Sequence, residues 1–166
     1  MGVSDDTESQ SRLEYDGMSN QLHHEALEVP AEAIDELGHV NNRTYLTWME
    51  ALARRHAAIL EAGSEPSVWV VREHQVSYLK PAFQGEEVHA YTWIEDPRGV
   101  SVRRRYVFLR RGELLVSAST RWVCVDKETM RPRRIPAGTA AAVMAGPVTG
   151  RDGEDLSAPF ERPSMI

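Results

Sequence analysis

From Asn42 to Gly63 the residues Tyr45, Trp48, Met49, Leu52, His56, Ile59 and Leu60 recur at the three- and four-residue spacing of one helix face. A helix of about 21 residues would be roughly 32 Å long, the width of a small domain, so it is expected to run through the centre of the fold. Gly63 is a natural terminator, because a glycine just past the last turn accepts a left-handed backbone without penalty. An apolar face of that length has to be covered, and the rest of the chain decides by what.

The elements around it read as strands. NQLHHEALEVP (20–30) alternates briefly and stops at Pro30. After the helix come VWVVREHQVSYL (68–79), EVHAYTWIED (87–96), VSVRRRYVFLRR (100–111) and LLVSASTRWVCVD (114–126). In the second of these runs Val88, Ala90, Thr92 and Ile94 share a face. In the third, Val100, Val102, Arg104, Tyr106 and Phe108 oppose Ser101, Arg103, Arg105, Val107 and Leu109. Short turns join the last three runs, so those strands are expected to be antiparallel neighbours. A strand, a long helix and four long strands make an α+β layer, one helix wrapped by an antiparallel sheet. The second face of such a sheet still carries Val, Tyr, Trp and Leu, and a sheet has open edges, so a homodimer or homotetramer is expected.

Charge sorts the chain into parts. The net charge is −6, but residues 1–20 hold five acids against one arginine and residues 146–166 hold four acids against two arginines, which leaves the middle neutral. Both ends read as solvated segments. The expected division is an acidic N-terminal tail over 1–20, the domain over 21–136, and a short helix with a Pro/Gly-rich tail over 137–166. A neutral domain excludes a nucleic-acid surface, which needs a basic face. No run approaches the roughly 18 apolar residues of a membrane span. The opening MGVSDDTESQSRLEYDG has no apolar stretch, so no secretory leader is expected there. Cys124 is the one cysteine, which excludes an intrachain disulfide and cysteine-based zinc clusters and fits a reducing cytoplasm. His23, His24, His56, His74 and His89 fall on different elements without metal-ligand spacing, so no metal site is expected.

The polar chemistry concentrates where the helix starts, in DELGHVNNRTYLTWME (35–50). Together with VSYLKPAFQGEEV (76–88), this segment resembles the hotdog-fold thioesterases of the 4-hydroxybenzoyl-CoA thioesterase type. Their pattern Asp-x-x-Gly-(His/Ile)-Val-x-x-x-x-Tyr is matched by Asp35, Gly38, His39, Val40 and Tyr45. The second block is similar to the family's strand reading Tyr-Leu-x-Pro-Ala with a following Gly-(Asp/Glu). Two blocks in this order, about 40 residues apart, are far more specific than either alone, and the likeness extends over about residues 21–136.

What the resemblance implies is a five-stranded hotdog fold and an acyl-CoA thioesterase that releases a free acid and coenzyme A. No cofactor is needed beyond the coenzyme A of the substrate, and a role in fatty acid metabolism is the general expectation. The chemistry is intelligible: a carboxylate attacks the carbonyl or activates water, and backbone N–H groups at a helix N-terminus stabilise the oxyanion. On the family's pattern Asp35 is base or nucleophile, the Asn42 N–H the oxyanion donor, Gly38 the tight turn and His39 an assisting group, with Tyr45 and Asn41 in substrate binding. The acyl carrier protein branch also has an asparagine two residues after the aspartate, where this chain has Leu37.

Blander readings stand beside each of these. Asp35 is also a turn or capping carboxylate by spacing, Asn41 and Asn42 are strong N-cap formers, and His39 is equally a structural histidine. Glu50, eight residues after Asn42, is the offset at which another hotdog branch places its catalytic carboxylate, but an i,i+4 ion pair with Arg54 is preferred. Arg103 and Arg105 are candidates for a coenzyme A phosphate, with Arg131, Arg133 and Arg134 as rivals. The alternative functions are an acyl carrier protein thioesterase, an enoyl-thioester hydratase or dehydratase on the same fold, and a non-catalytic acyl-thioester binder. Acyl chain length and head group are beyond the reach of the sequence.

Overall fold

A computed structural model of the chain describes residues 21–144 and 148–156; the segment 1–20 lies outside the described residues. Five strands form one sheet: β1 (Leu22–Glu28), β2 (Val68–Tyr78), β3 (Glu87–Glu95), β4 (Ser101–Arg110) and β5 (Glu113–Val125). The order is β1-β3-β4-β5-β2 and every pairing is antiparallel. The helix α1 (Asn42–Leu60) lies against one face, and a short helix α2 (Ala137–Ala141) follows the sheet. This is the expected α+β architecture, one long helix wrapped by a five-stranded antiparallel sheet.

The alternation in the strands explains the packing. Val88 and Ala90 of β3, Tyr106 and Phe108 of β4, and Val116 and Ala118 of β5 all face α1, where they close over Tyr45, Met49 and Leu52. The helix is slightly shorter than its apolar pattern. It ends at Leu60 with Glu61 as C-cap, and Gly63 takes the left-handed φ of +82° two residues further on. Arg55 of α1 clamps Glu25 of β1 with two bonds at 2.5 and 2.7 Å, which fixes the first strand to the helix.

One expectation needs correction. Residues 148–156, read as solvated tail, fold back over the outer face of the sheet. Val148 and Leu156 are buried there against Tyr91, Trp93, Val107 and Leu109, and Gly150 and Leu156 are tied to Glu154 and Val148 by backbone bonds of 2.7 Å. The acids of this segment hid its two apolar anchors. The apolar outer face therefore has a cover from its own chain over this patch, and the sheet edge remains as the reason to expect a second copy. The histidines, scattered in sequence, also meet in pairs. His24 and His89 are neighbours across β1 and β3, 2.8 Å apart and stacked, and His23 stacks on His56 at 5.5 Å. Among the described residues no three His, Cys, Asp or Glu side chains gather as a metal would need, and no helix is long and apolar enough to cross a membrane. Cys124 is fully buried as a small apolar residue.

Candidate active site

The segment before α1 is a closed turn. The Asp35 N–H donates to the His39 carbonyl and the Gly38 N–H donates to the Asp35 carbonyl, both at 3.0 Å. The Asp35 carboxylate accepts from the Leu37 N–H at 2.9 Å through Oδ1, the short-range bond that makes aspartate a turn former. Its other oxygen has no partner among the described residues. Gly38 has φ +85° and open space where a Cβ would stand, so the requirement for glycine is backbone conformation, not crowding.

From this turn the chain is stitched to the second sequence block. The Val40 N–H donates to the Ala82 carbonyl at 2.9 Å, and the Asn41 N–H donates to the Ala33 carbonyl at 2.8 Å. Asn41 is the N-cap of α1: its backbone is extended, and its side-chain oxygen accepts from the Arg43 N–H at 2.9 Å. Asn42 is then the first helical residue. The Thr44 N–H is taken by the Asn41 carbonyl, whereas the Asn42 N–H has no intrahelical acceptor, as at any helix start. The two asparagines thus divide the work, one capping and the next presenting a backbone donor at the positive end of the helix dipole.

A pocket of about 220 Å³ opens at this point, lined by His39, Asn42, Tyr45 and the Tyr78–Ala82 stretch. Both sequence blocks contribute walls. The Tyr78 hydroxyl donates to the Asn42 carbonyl at 3.2 Å, and Lys80 is ion-paired with Glu113. Tyr45 is 3% exposed, yet its hydroxyl has no hydrogen-bond partner among the described residues. Burial pushes its pKa up to about 12, against a small opposing effect of Arg110, so it is a neutral donor across the working pH range. A buried hydroxyl left unpaired costs on the order of 1–3 kcal/mol, and Tyr45 lines the pocket.

His39, Asn42 and Tyr45 are therefore brought together. Asp35, Gly38 and Asn41 stand in the turn and cap immediately before the pocket and do not line it. Glu50 lies two turns along α1 and is 3.8 Å from Arg54, the i,i+4 pair preferred from spacing. Arg103 and Arg105 are not brought to the pocket. They point to the opposite face of the sheet from α1, beside Asp96 at 3.8 Å and Glu95 at 4.0 Å. Their alternation partner Arg104 faces inward and is buried, which sequence reading missed although Arg104 shares its face with Val102, Tyr106 and Phe108. Tyr78 and Lys80 were overlooked as pocket residues, and their place in the second block was the available signal.

Comparison with known proteins gives the family. Residues 29–143 match the model of the thioesterase-like superfamily. The Bacillus subtilis (strain 168) protein YneP, provisionally named an acyl-CoA thioesterase, is 33% identical over 114 residues, which are 64% of this chain and 81% of that protein. A thioesterase from Thermus thermophilus, solved with coenzyme A and zinc, superposes with a TM-score of 0.64 at 25% identity over 72% of this chain and 94% of its own. A predicted thioesterase from Bacillus stearothermophilus gives a TM-score of 0.65 at 21% identity, over 72% and 92%; at that identity the likeness is one of fold.

Proposed function

The chain belongs to the thioesterase-like superfamily, and on that premise we propose that it hydrolyses an acyl-CoA thioester to the free acid and coenzyme A. The observation that carries this reading is the pocket at the start of α1, which Asn42 at the helix N-terminus and Tyr45 line and which the Asp35 turn immediately precedes. The names of the relatives support the substrate class, since YneP is named for acyl-CoA and the Thermus protein was solved with coenzyme A.

In this reading the thioester carbonyl oxygen points at the Asn42 N–H, where a preorganised donor stabilises the charge that develops on it. Asp35 acts as base or nucleophile through the carboxylate oxygen that Leu37 does not occupy. Gly38 holds the turn that keeps the carboxylate close to the helix start. His39 and Tyr45 contact the substrate from the pocket wall, and Asn41 positions the Asn42 donor through its cap. No group beyond the coenzyme A of the substrate is required, and an acyl carrier protein thioester is the close variant.

A pocket of about 220 Å³ is below the roughly 300–1,000 Å³ of small-molecule sites, so we assign the remaining walls to a second copy of the chain. β2 is the last strand in the sheet order and pairs only with β5 among the described strands. It ends at Tyr78, in the pocket wall, so a partner paired along this edge reaches the site.

The test is thiol release from a panel of short, long and aromatic acyl-CoAs by the wild type and Asp35→Asn. Loss of a carboxylate base is expected to lower kcat by about 10²–10⁴ with the fold retained. Turnover that survives in Asp35→Asn moves the role to another group, Glu50 first. No turnover with any thioester, including acyl carrier protein thioesters, rejects the reaction.

A further inference from the structure

At the far end of α1 the packing changes. Ala53, Ala57 and Ala58 succeed the large residues of the first turns, and a cavity of about 580 Å³ remains between helix and sheet. That volume falls in the roughly 300–1,000 Å³ range of small-molecule sites. Trp69, Trp122, Ile94 and Val102 make its walls largely apolar. It shares no lining residue with the pocket at the helix start, and Ala57 is about 22 Å along the helix axis from Asn42.

One buried cation lines this cavity. Arg104 is 4% exposed. Its Nη1 donates to His56 Nδ1 at 2.7 Å and to Thr92 Oγ1 at 3.2 Å. Guanidinium has no acceptor, so Nδ1 is the unprotonated nitrogen of His56 and both partners take the bond as neutral acceptors. No carboxylate among the described residues reaches Arg104, whereas Arg55, Arg110 and Arg121 each hold one at 2.5–3.0 Å. Glu61, which also lines the cavity, is engaged by the Ser67 N–H at 2.9 Å and the Trp69 indole N–H at 3.2 Å, and Arg54 is exposed. Removing a charge from water without a counter-charge is costly. A buried arginine facing an apolar hole without an acid is placed to receive one.

We propose that this cavity is a second ligand site, which takes a molecule with an apolar body and a carboxylate that pairs with the Arg104 guanidinium. A free carboxylic acid meets that description, and so does an acyl group that ends in a carboxylate while still joined to coenzyme A. The planar guanidinium fork suits a carboxylate in a two-bond pairing. The proposal does not depend on the hydrolytic reading, because it concerns binding alone.

Isothermal titration calorimetry on the full chain tests it. One arm compares octanoate and 4-phenylbutyrate with their primary amides. A second compares the non-hydrolysable thioethers S-hexyl-CoA and S-(5-carboxypentyl)-CoA. In at least one arm the acid is expected to bind at least tenfold more tightly than its neutral counterpart. Arg104→Gln is expected to erase that difference, and Ala57→Phe, which fills the cavity, to weaken acid binding at least tenfold. Preference in the first arm identifies a free acid as the ligand, and preference in the second arm alone identifies a tethered acyl group. Equal binding of acids and neutral counterparts in both arms overturns the proposal, as does no binding in either arm or a preference that survives Arg104→Gln. Should Arg104→Gln fail to fold, Ala57→Phe decides: lost acid binding supports the site and unchanged binding refutes it.

Discussion

Asn41 separates a structural role from a chemical one at the helix start. Its side-chain oxygen accepts from the Arg43 N–H at 2.9 Å, and its backbone takes the Thr44 N–H and gives its own N–H to Ala33. Asn41→Ala removes the first bond and leaves the two backbone bonds. Loss of an N-cap side chain costs about 1 kcal/mol, which in a domain of this size lowers Tm by roughly 2–4 °C. The Asn42 N–H is a backbone group and survives the substitution, so kcat on the best acyl-CoA is expected to change by less than about tenfold, well short of the 10²–10³ that follows loss of an oxyanion donor. Asn41→Ser restores the cap and should restore Tm. Differential scanning fluorimetry and initial-rate kinetics on the same preparations give both quantities. An unchanged Tm in Asn41→Ala refutes the cap. A kcat that collapses by 100-fold in Asn41→Ser while Tm holds refutes the division of labour, and makes the amide itself part of the chemistry.

Tyr45→Phe removes a buried hydroxyl that has no hydrogen-bond partner among the described residues; the fold is expected to gain up to about 1–3 kcal/mol of relieved desolvation, read as a higher Tm, while KM for the thioester increases, and an unchanged KM would take the hydroxyl out of substrate contact. Leu156→Ala opens a hole under residues 148–156 where Leu156 is 1% exposed; with buried Leu→Ala costs of about 2–5 kcal/mol, local release of the segment is expected, read as faster hydrogen exchange there and as concentration-dependent association through the uncovered Tyr91–Trp93 face. The same segment should loosen in acid. The pKa of His24 is lowered first by burial, then by His89 and Arg151, against a raising effect of Glu154, so folding favours the neutral ring. The stabilisation is complete above the ordinary histidine pKa of about 6.5 and declines as pH falls below it toward the folded value, so the protection of 148–156, taken relative to intrinsic exchange at each pH, should fall between pH 7.5 and 5.5 and lose that dependence in His24→Phe.

Much of this fold was legible because its period never changes sign. A helical repeat that runs unbroken from Tyr45 to Leu60 can only be one helix, and three strands joined by short turns can only be neighbours. The place of β2 was not legible. It follows α1 in sequence yet pairs with β5 at the far edge, and a connection that passes around the helix leaves no local pattern. The motif located the helix cap, since Asp35, Gly38 and Asn41 form the turn and cap within a few residues of one another, and His39, Asn42 and Tyr45 of the same segment line the pocket. Arg103, Arg104 and Arg105 show the opposite case. Arg103 and Arg105, on one face of the strand with Arg104 on the other, suggested a phosphate site. The outer two meet acids on the outer face, and the middle one is driven into the interior.

The two ends of α1 explain why one chain can hold two pockets. Near its start the helix carries Tyr45, Trp48, Met49 and Leu52, whose volumes fill the space to the sheet, and Phe108 packs edge-on to Tyr45 at 5.1 Å. Near its end it carries Ala53, Ala57 and Ala58. Side chains this short cannot bridge the distance between a helix axis and a sheet, and a well-packed interior tolerates such a gap only at a cost. The first end is therefore tightly packed behind the Asn42 N–H, and the second is open where Arg104 has no acid among the described residues. A chain that needed only the first site would gain stability from a Leu or Met at position 57. The alanines and an arginine without an acid among the described residues both oppose stability at the same place, and a ligand satisfies both at once by filling the apolar space and neutralising the charge.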